Sequence, residues 1–82
     1  MISQIQTLIE DAIHPEHLDV TGDGSHFQVI VVSDSFDGLR AVQRQQKIYA
    51  LVDQQIADGS IHALTIKTYT ADEWKQASKF SF

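Results

Sequence analysis

Two stretches rich in β-branched residues, His26 to Ser33 and Ile61 to Thr68, flank a helical pattern running from about Leu39 to Ala57. That order constrains the chain more than any single motif. A strand, a helix and a second strand of the same sheet form a crossover, which is right-handed and returns the second strand parallel to the first. Leu18 to Thr21, just ahead, reads as a short strand. It connects to His26–Ser33 through Gly22-Asp23-Gly24-Ser25, where the glycines take positive φ at no steric cost, so these two strands form a hairpin.

The remaining segments read as helices. Ser3 and Gln6 have the spacing of a capping box, and Ile5, Leu8, Ile9, Ala12 and Ile13 follow as one apolar stripe. Pro15 disfavours helical geometry at His14, so this helix stops near Ile13. In the crossover, Ile48, Leu51, Val52 and Ile56 form a strong stripe, which Leu39, Val42 and Tyr49 extend less regularly. The spacing predicts a break into a short and a longer helix near Val42, with Asp58-Gly59 as the C-terminal cap. Thr70-Ala71-Asp72-Glu73 is a second capping box, stapled by Tyr69 and Trp74, and opens a last helix to about Lys79.

The order is therefore α-β-β-α(α)-β-α, an α+β arrangement over residues 1–82 as a single domain. A three-stranded mixed sheet with helices packed on one face is the economical solution. Phe27, Val29 and Val31 share one face of the second strand; His26, Gln28 and Ile30 share the other, more polar one. The expected core is Ile5, Leu8, Ile9, Val29, Val31, Leu51, Val52, Ile56, Leu64 and Ile66, the last two sharing strand parity with His62.

Composition removes several classes of function. A chain of 82 residues supports one thin core, and 43% apolar content is ordinary for a globular protein. The longest near-apolar run, Phe27 to Val32, is far too short for a membrane span, and no signal peptide is visible, so a cytoplasmic location without membrane attachment is expected. The net charge of −5 argues against nonspecific binding to phosphate backbones. Against that average, Arg40, Arg44 and Lys47 project from one helix face at i, i+4, i+7 spacing. They suit an acidic protein partner, a solvated face, or, in the rival reading of a nucleic-acid-binding transcriptional or stress regulator, phosphate contacts.

Catalytic signatures are missing. There is no G-x-S-x-G and no P-loop, and Gly22-x-Gly24 lacks a third glycine at a helix start. His26 and His62 have general-base chemistry, but spacing ties no nucleophile to either, so no enzyme activity is expected. Metal chemistry is a different matter. With zero Cys, any soft-metal or iron–sulfur site must use imidazole here and take its sulfur from a partner. His26 and His62 each stand where a turn or loop hands over to a strand, and only the fold can bring them together. His14-x-x-His17 has helical spacing, but Pro15 breaks the helix that would align the pair, so these two read as solvated. Tyr49 and Trp74 occupy apolar helical or cap positions, which suits packing better than base stacking.

Taken in order, Gly22-Asp23-Gly24-Ser25-His26-Phe27, Phe36-Asp37-Gly38, Arg44-Gln45-Gln46 with Tyr49, Ile61-His62-Ala63-Leu64, and Thr68-Tyr69-Thr70 with Glu73-Trp74 resemble the BolA family, in its IbaG-like branch. The resemblance covers nearly the whole chain. It implies a class II KH-like fold used for protein partnership, although the G-x-x-G loop of RNA-binding KH modules is absent. It also implies pairing with a monothiol glutaredoxin and a shared 2Fe–2S cluster, for which glutaredoxin and glutathione supply thiolates; alone, the chain would be in the apo form. By the same resemblance His62 matches the family's C-terminal-region ligand, and His26 the variable Cys-or-His position of the hairpin loop. Imidazole on one iron and sulfur on the other is a known arrangement. BolA proper carries an Arg-His pair where Gln45-Gln46 stand, and losing that cation weakens the DNA-binding reading. A homodimer is a further admissible association.

Overall fold

Antiparallel pairing of His17–Gly22 (β1) with His26–Val32 (β2) sets the frame, with Val20 opposite Val29 and Gly22 opposite Phe27. A Cβ at Gly22 would overlap the Phe27 ring, so glycine is required there by the ring lying across it. The computed structural model describes residues 1–24 and 26–79; Ser25, assigned above to the turn, lies outside the described residues. Across the turn the Asp23 N–H donates to the His26 carbonyl at 3.1 Å. Ala63–Tyr69 (β3) pairs parallel with β2, giving the order β1-β2-β3 with β2 central. The expected mixed sheet and parallel crossover are both present.

Helix α1, Ile2–Ile13, lies against β1, and α2, Ala41–Leu51, lies against β3. Their apolar stripes and the inward parity of the strands form a core of Ile5, Ile9, Val20, Phe27, Val29, Val31, Phe36, Ile48, Val52, Ile61 and Ile66. Leu8, Leu51 and Leu64 are half-buried against it. Leu64 and Ile66 take the inward parity because they pair with Phe27 and Val29.

Two capping expectations came out differently. The Ser3–Gln6 box does not form: α1 starts at Ile2, Met1 holds the N-cap position without a side-chain bond, and the Ser3 carbonyl accepts the Thr7 hydroxyl instead. Ile2 packs against the core, and burying it draws the helix start ahead of Ser3. The Thr70 box does form. Glu73 Oε1 accepts the Thr70 N–H at 2.9 Å and Thr70 Oγ1 accepts the Glu73 N–H at 3.2 Å, opening α4, Ala71–Lys79. The staple is also present, with Tyr69 and Trp74 ring centroids 5.3 Å apart. At its far end α1 stops where Pro15 requires, with His14 in the left-handed region at φ 54°.

The crossover breaks at Val52 rather than near Val42. A single 3₁₀ turn, Asp34–Phe36, precedes α2, and a short α3, Asp53–Ala57, follows it. Val52 leaves helical geometry (φ −121°, ψ 16°), which rotates α3 out of phase with α2. A continuous stripe would have buried Ile56. Instead Ile56 is 38% exposed and Gln55 only 8%. The Gln55 carbonyl then takes the N–H of Ile61, which anchors the loop ahead of β3. The Gly59 cap follows at φ +84°.

At the C-terminal end of the parallel strands, polar groups are closely engaged. Arg44 is 12% exposed: its guanidinium grips both Glu73 carboxylate oxygens, at 2.6 and 3.3 Å, and its Nε donates to the Leu39 carbonyl at 3.0 Å. It also lies 5.9 Å from the Phe36 ring centroid. Asp34 caps the Ala71 N–H at 3.2 Å, and Trp74 stacks on His17 with centroids 5.0 Å apart. The Arg44 hydrogen bonds, aided by the Thr70 N–H, hold the Glu73 carboxyl below its usual range. The Glu16 carboxyl is pushed up, first by partial desolvation, then by the charge of Asp34 and a hydrogen bond with it, against an opposing pull from Lys75.

Candidate metal centre

Register decides which side chains meet at the other end of the sheet. His26 begins β2 and pairs with Ala63, the first residue of β3, so His62 stands one residue ahead of the partner of His26. Residues far apart in sequence thus reach the same end of two parallel strands. Both are exposed. Parity alone would have sent His62 inward with Leu64 and Ile66, but β3 starts only at Ala63 and His62 lies in the bend before it.

Next to His26 opens a shallow cleft of about 460 Å³ on the outer face of the sheet, lined among others by Asp23, Gln28, Ala63 and Thr65. Asp23 was not singled out in the sequence. Its Oδ1 lies 3.9 Å from His26 Nδ1, too far for a direct hydrogen bond, with the two side chains 86% and 69% exposed. A contact between the two would orient the ring and leave Nε2 for a ligand. The available signal was the hairpin itself, since a turn that bonds Asp23 N–H to the His26 carbonyl sets their side chains next to each other.

Two exposed imidazoles and no thiol fill only part of a metal's coordination shell. Among the described residues no group of three or more His, Asp or Glu side chains converges to hold an ion. The donor set therefore fits a site completed from outside the chain, with imidazole nitrogen from here and sulfur from elsewhere. His14 and His17 do not join it, because His17 is stacked on Trp74 at the opposite end of β1 and β2. Of the basic triplet, Arg44 is committed to Glu73, while Arg40, in extended geometry at the N-cap of α2, and Lys47 on the helix are exposed.

The model of the BolA-like protein family matches residues 4–73, a span that includes both histidines, the crossover and the Thr70 box. The chain belongs to the BolA-like family. Among curated relatives it is 43% identical over 79 residues to the acid stress protein IbaG of Escherichia coli K12, covering 96% of this chain and 94% of that one. It is 42% identical over 67 residues to the DNA-binding transcriptional regulator BolA of Haemophilus influenzae, covering 82% of this chain and 63% of the relative. Among solved structures, BolA1 from Arabidopsis thaliana superposes with a TM-score of 0.80 at 28% identity, covering 88% of this chain and 93% of that one. This BolA-like chain therefore has the fold its sequence order implied. No helix among its described residues is long and apolar enough to cross a membrane.

Proposed function

We propose that this BolA-like protein is a non-enzymatic, cytoplasmic adaptor that binds a monothiol glutaredoxin and shares a 2Fe–2S cluster with it in iron–sulfur maintenance or trafficking. The observation that supports the reading is the β2–β3 register, which pairs His26 with Ala63, the residue after His62, so that two exposed histidines stand at one end of the sheet in a chain without cysteine. His62 and His26 would hold the cluster from this side, and glutaredoxin with glutathione would supply thiolates. When bound, the cluster would supply one-electron and cluster-transfer chemistry. The chain's own part is narrower: it presents one exposed imidazole at the start of β2 and another in the bend before β3, and leaves that end open for a partner. A neutral imidazole also leaves on protonation more readily than a thiolate, which suits a cluster that must move on.

Reconstitution with a monothiol glutaredoxin, glutathione, iron and sulfide tests this. The mixed complex should be coloured, and His62→Ala should alter its visible circular dichroism and speed cluster loss while the apo-protein stays folded. His26→Ala should do the same less strongly, because its hairpin is glycine-rich. An unchanged spectrum in the His26→Ala, His62→Ala double variant removes both from the site and leaves an adaptor that binds glutaredoxin without metal.

The rival reading, a nucleic-acid-binding regulator, draws on the likeness to the Haemophilus influenzae BolA relative and on exposed Arg40 and Lys47. With Arg44 held by Glu73 and a net charge of −5, weak binding is expected. An anisotropy titration with duplex DNA at two salt concentrations decides it: affinity tighter than about micromolar at physiological salt, lost on replacing Arg40 and Lys47, would favour the regulator.

A further inference from the structure

The outer edge of β3 around Ile66 and Thr68 takes no part in the histidine end, and two hydrogen bonds fix which way its backbone faces. The Ser33 N–H donates to the Tyr69 carbonyl at 2.9 Å, so Tyr69 turns its peptide groups toward β2. In a parallel ladder alternate residues do the same, which assigns Lys67 and Thr65 to the β2 side. Leu64, Ile66 and Thr68 then turn theirs away. The Tyr49 hydroxyl agrees, since it reaches from α2 to the Leu64 carbonyl at 3.4 Å. Among the described residues, no backbone group or side chain meets the outward N–H and C=O of Ile66 and Thr68.

Unpaired strand-edge groups specify their occupant more narrowly than an apolar patch does, because another extended backbone is what satisfies them in series. Next to them runs an open cleft of about 430 Å³ lined by Thr68, Tyr69, Asp72, Glu73 and Gln76. Glu73 is taken by Arg44, but Asp72 and Gln76 are exposed. With a net charge of −5 on the chain as a whole, the cleft suits a segment that carries a cation. A second copy suits it poorly. Two such acidic chains repel, and antiparallel pairing centred on this segment would bring the Lys67 ammonium groups of both copies onto one sheet face.

We propose that the β3 edge is a strand-addition surface, which takes an extended, lysine- or arginine-bearing segment of a partner protein. The segment's backbone would bond to Ile66 and Thr68, and its cation would meet Asp72. The surface is separate from the histidine end and needs no metal, so its test runs on the apo-protein.

Panning a phage-displayed library of random heptapeptides against the full chain supplies the probe, the most enriched peptide then being made synthetically. Enriched sequences should carry Lys or Arg, and the peptide should slow amide exchange at Ile66 and Thr68 about tenfold while leaving Lys67 unchanged. Thr68→Pro should weaken binding about tenfold, the worth of one lost backbone hydrogen bond. Asp72→Lys, which leaves the strand intact, should shift selection toward acidic peptides, and it decides the matter even if Thr68→Pro fails to fold. Three outcomes would overturn the proposal: no enriched peptide, enriched peptides without protection at Ile66 and Thr68, or a selection indifferent to Asp72→Lys. Sedimentation showing a dimer that protects the same two amides without peptide would assign the edge to self-association instead.

Discussion

The two ends of the β2–β3 pair use polar residues in opposite ways. At the C-terminal end Arg44, Glu73, Thr70 and Asp34 are bonded to one another or to backbone, and Trp74 is stacked between helix and strand. At the N-terminal end His26 has only a loose approach to Asp23, and His62 has no hydrogen bond among the described residues. Polar groups tied down within the fold support architecture, whereas exposed groups held on ordered strand starts remain available for a ligand. Residue type would have suggested otherwise. A stripe of three cations looks like a binding face, yet its middle member is a strut.

The contrast can be attacked by mutation, starting with the largest effect. Phe36→Ala empties a fully buried site beneath Arg44 and should cost about 3–5 kcal/mol, enough to leave so small a domain partly unfolded in a urea titration. Arg44→Ala should cost about 1–2 kcal/mol, read as a lower urea midpoint with unchanged slope, because the Leu39 carbonyl and Glu73 both lose a partner. His26→Ala and His62→Ala should each move stability by less than about 0.5 kcal/mol, as at exposed sites free of packing duties. If either histidine change costs as much as Arg44→Ala, the division between the two ends fails.

The smallest effects concern pH. Glu73 has a lowered carboxyl pKa in the folded protein, so its contribution is present above the unfolded value and is lost as pH falls through the folded one. Glu16 has the opposite sign. The folded state holds its proton more tightly, so stability gains as pH falls through the raised value. Melting curves through the carboxylate range should therefore flatten at the acid end in Glu73→Gln and steepen there in Glu16→Gln. Because both carboxyls are open to water, the changes should be small, a degree or two in Tm at most.

Local signals in the sequence carried much of the fold. The hairpin followed from its glycines, the crossover from strand–helix–strand order, and α4 from a capping box whose partners are three residues apart. The misassigned features were set by distant contacts. Nothing near Val52 announces that the helix breaks there and turns Gln55 inward, since that depends on how α3 must approach the loop before β3. Burial of Ile2 likewise outweighed a good box at Ser3. For the candidate site, the two histidines were legible as strand starts, but their adjacency is a matter of register between strands separated by the whole crossover. Arg44 is the converse case: its spacing was read correctly, and its partner Glu73 lies too far along the chain for any local pattern to show.

Parallel pairing also has a consequence in time. Antiparallel neighbours can close early through a short turn, but β3 can dock on β2 only after α2 and α3 have been synthesised and packed. A chain emerging from the ribosome exposes His26 long before His62 can join it. The placing of the two histidines at one end of the sheet thus exists only once β3 has docked.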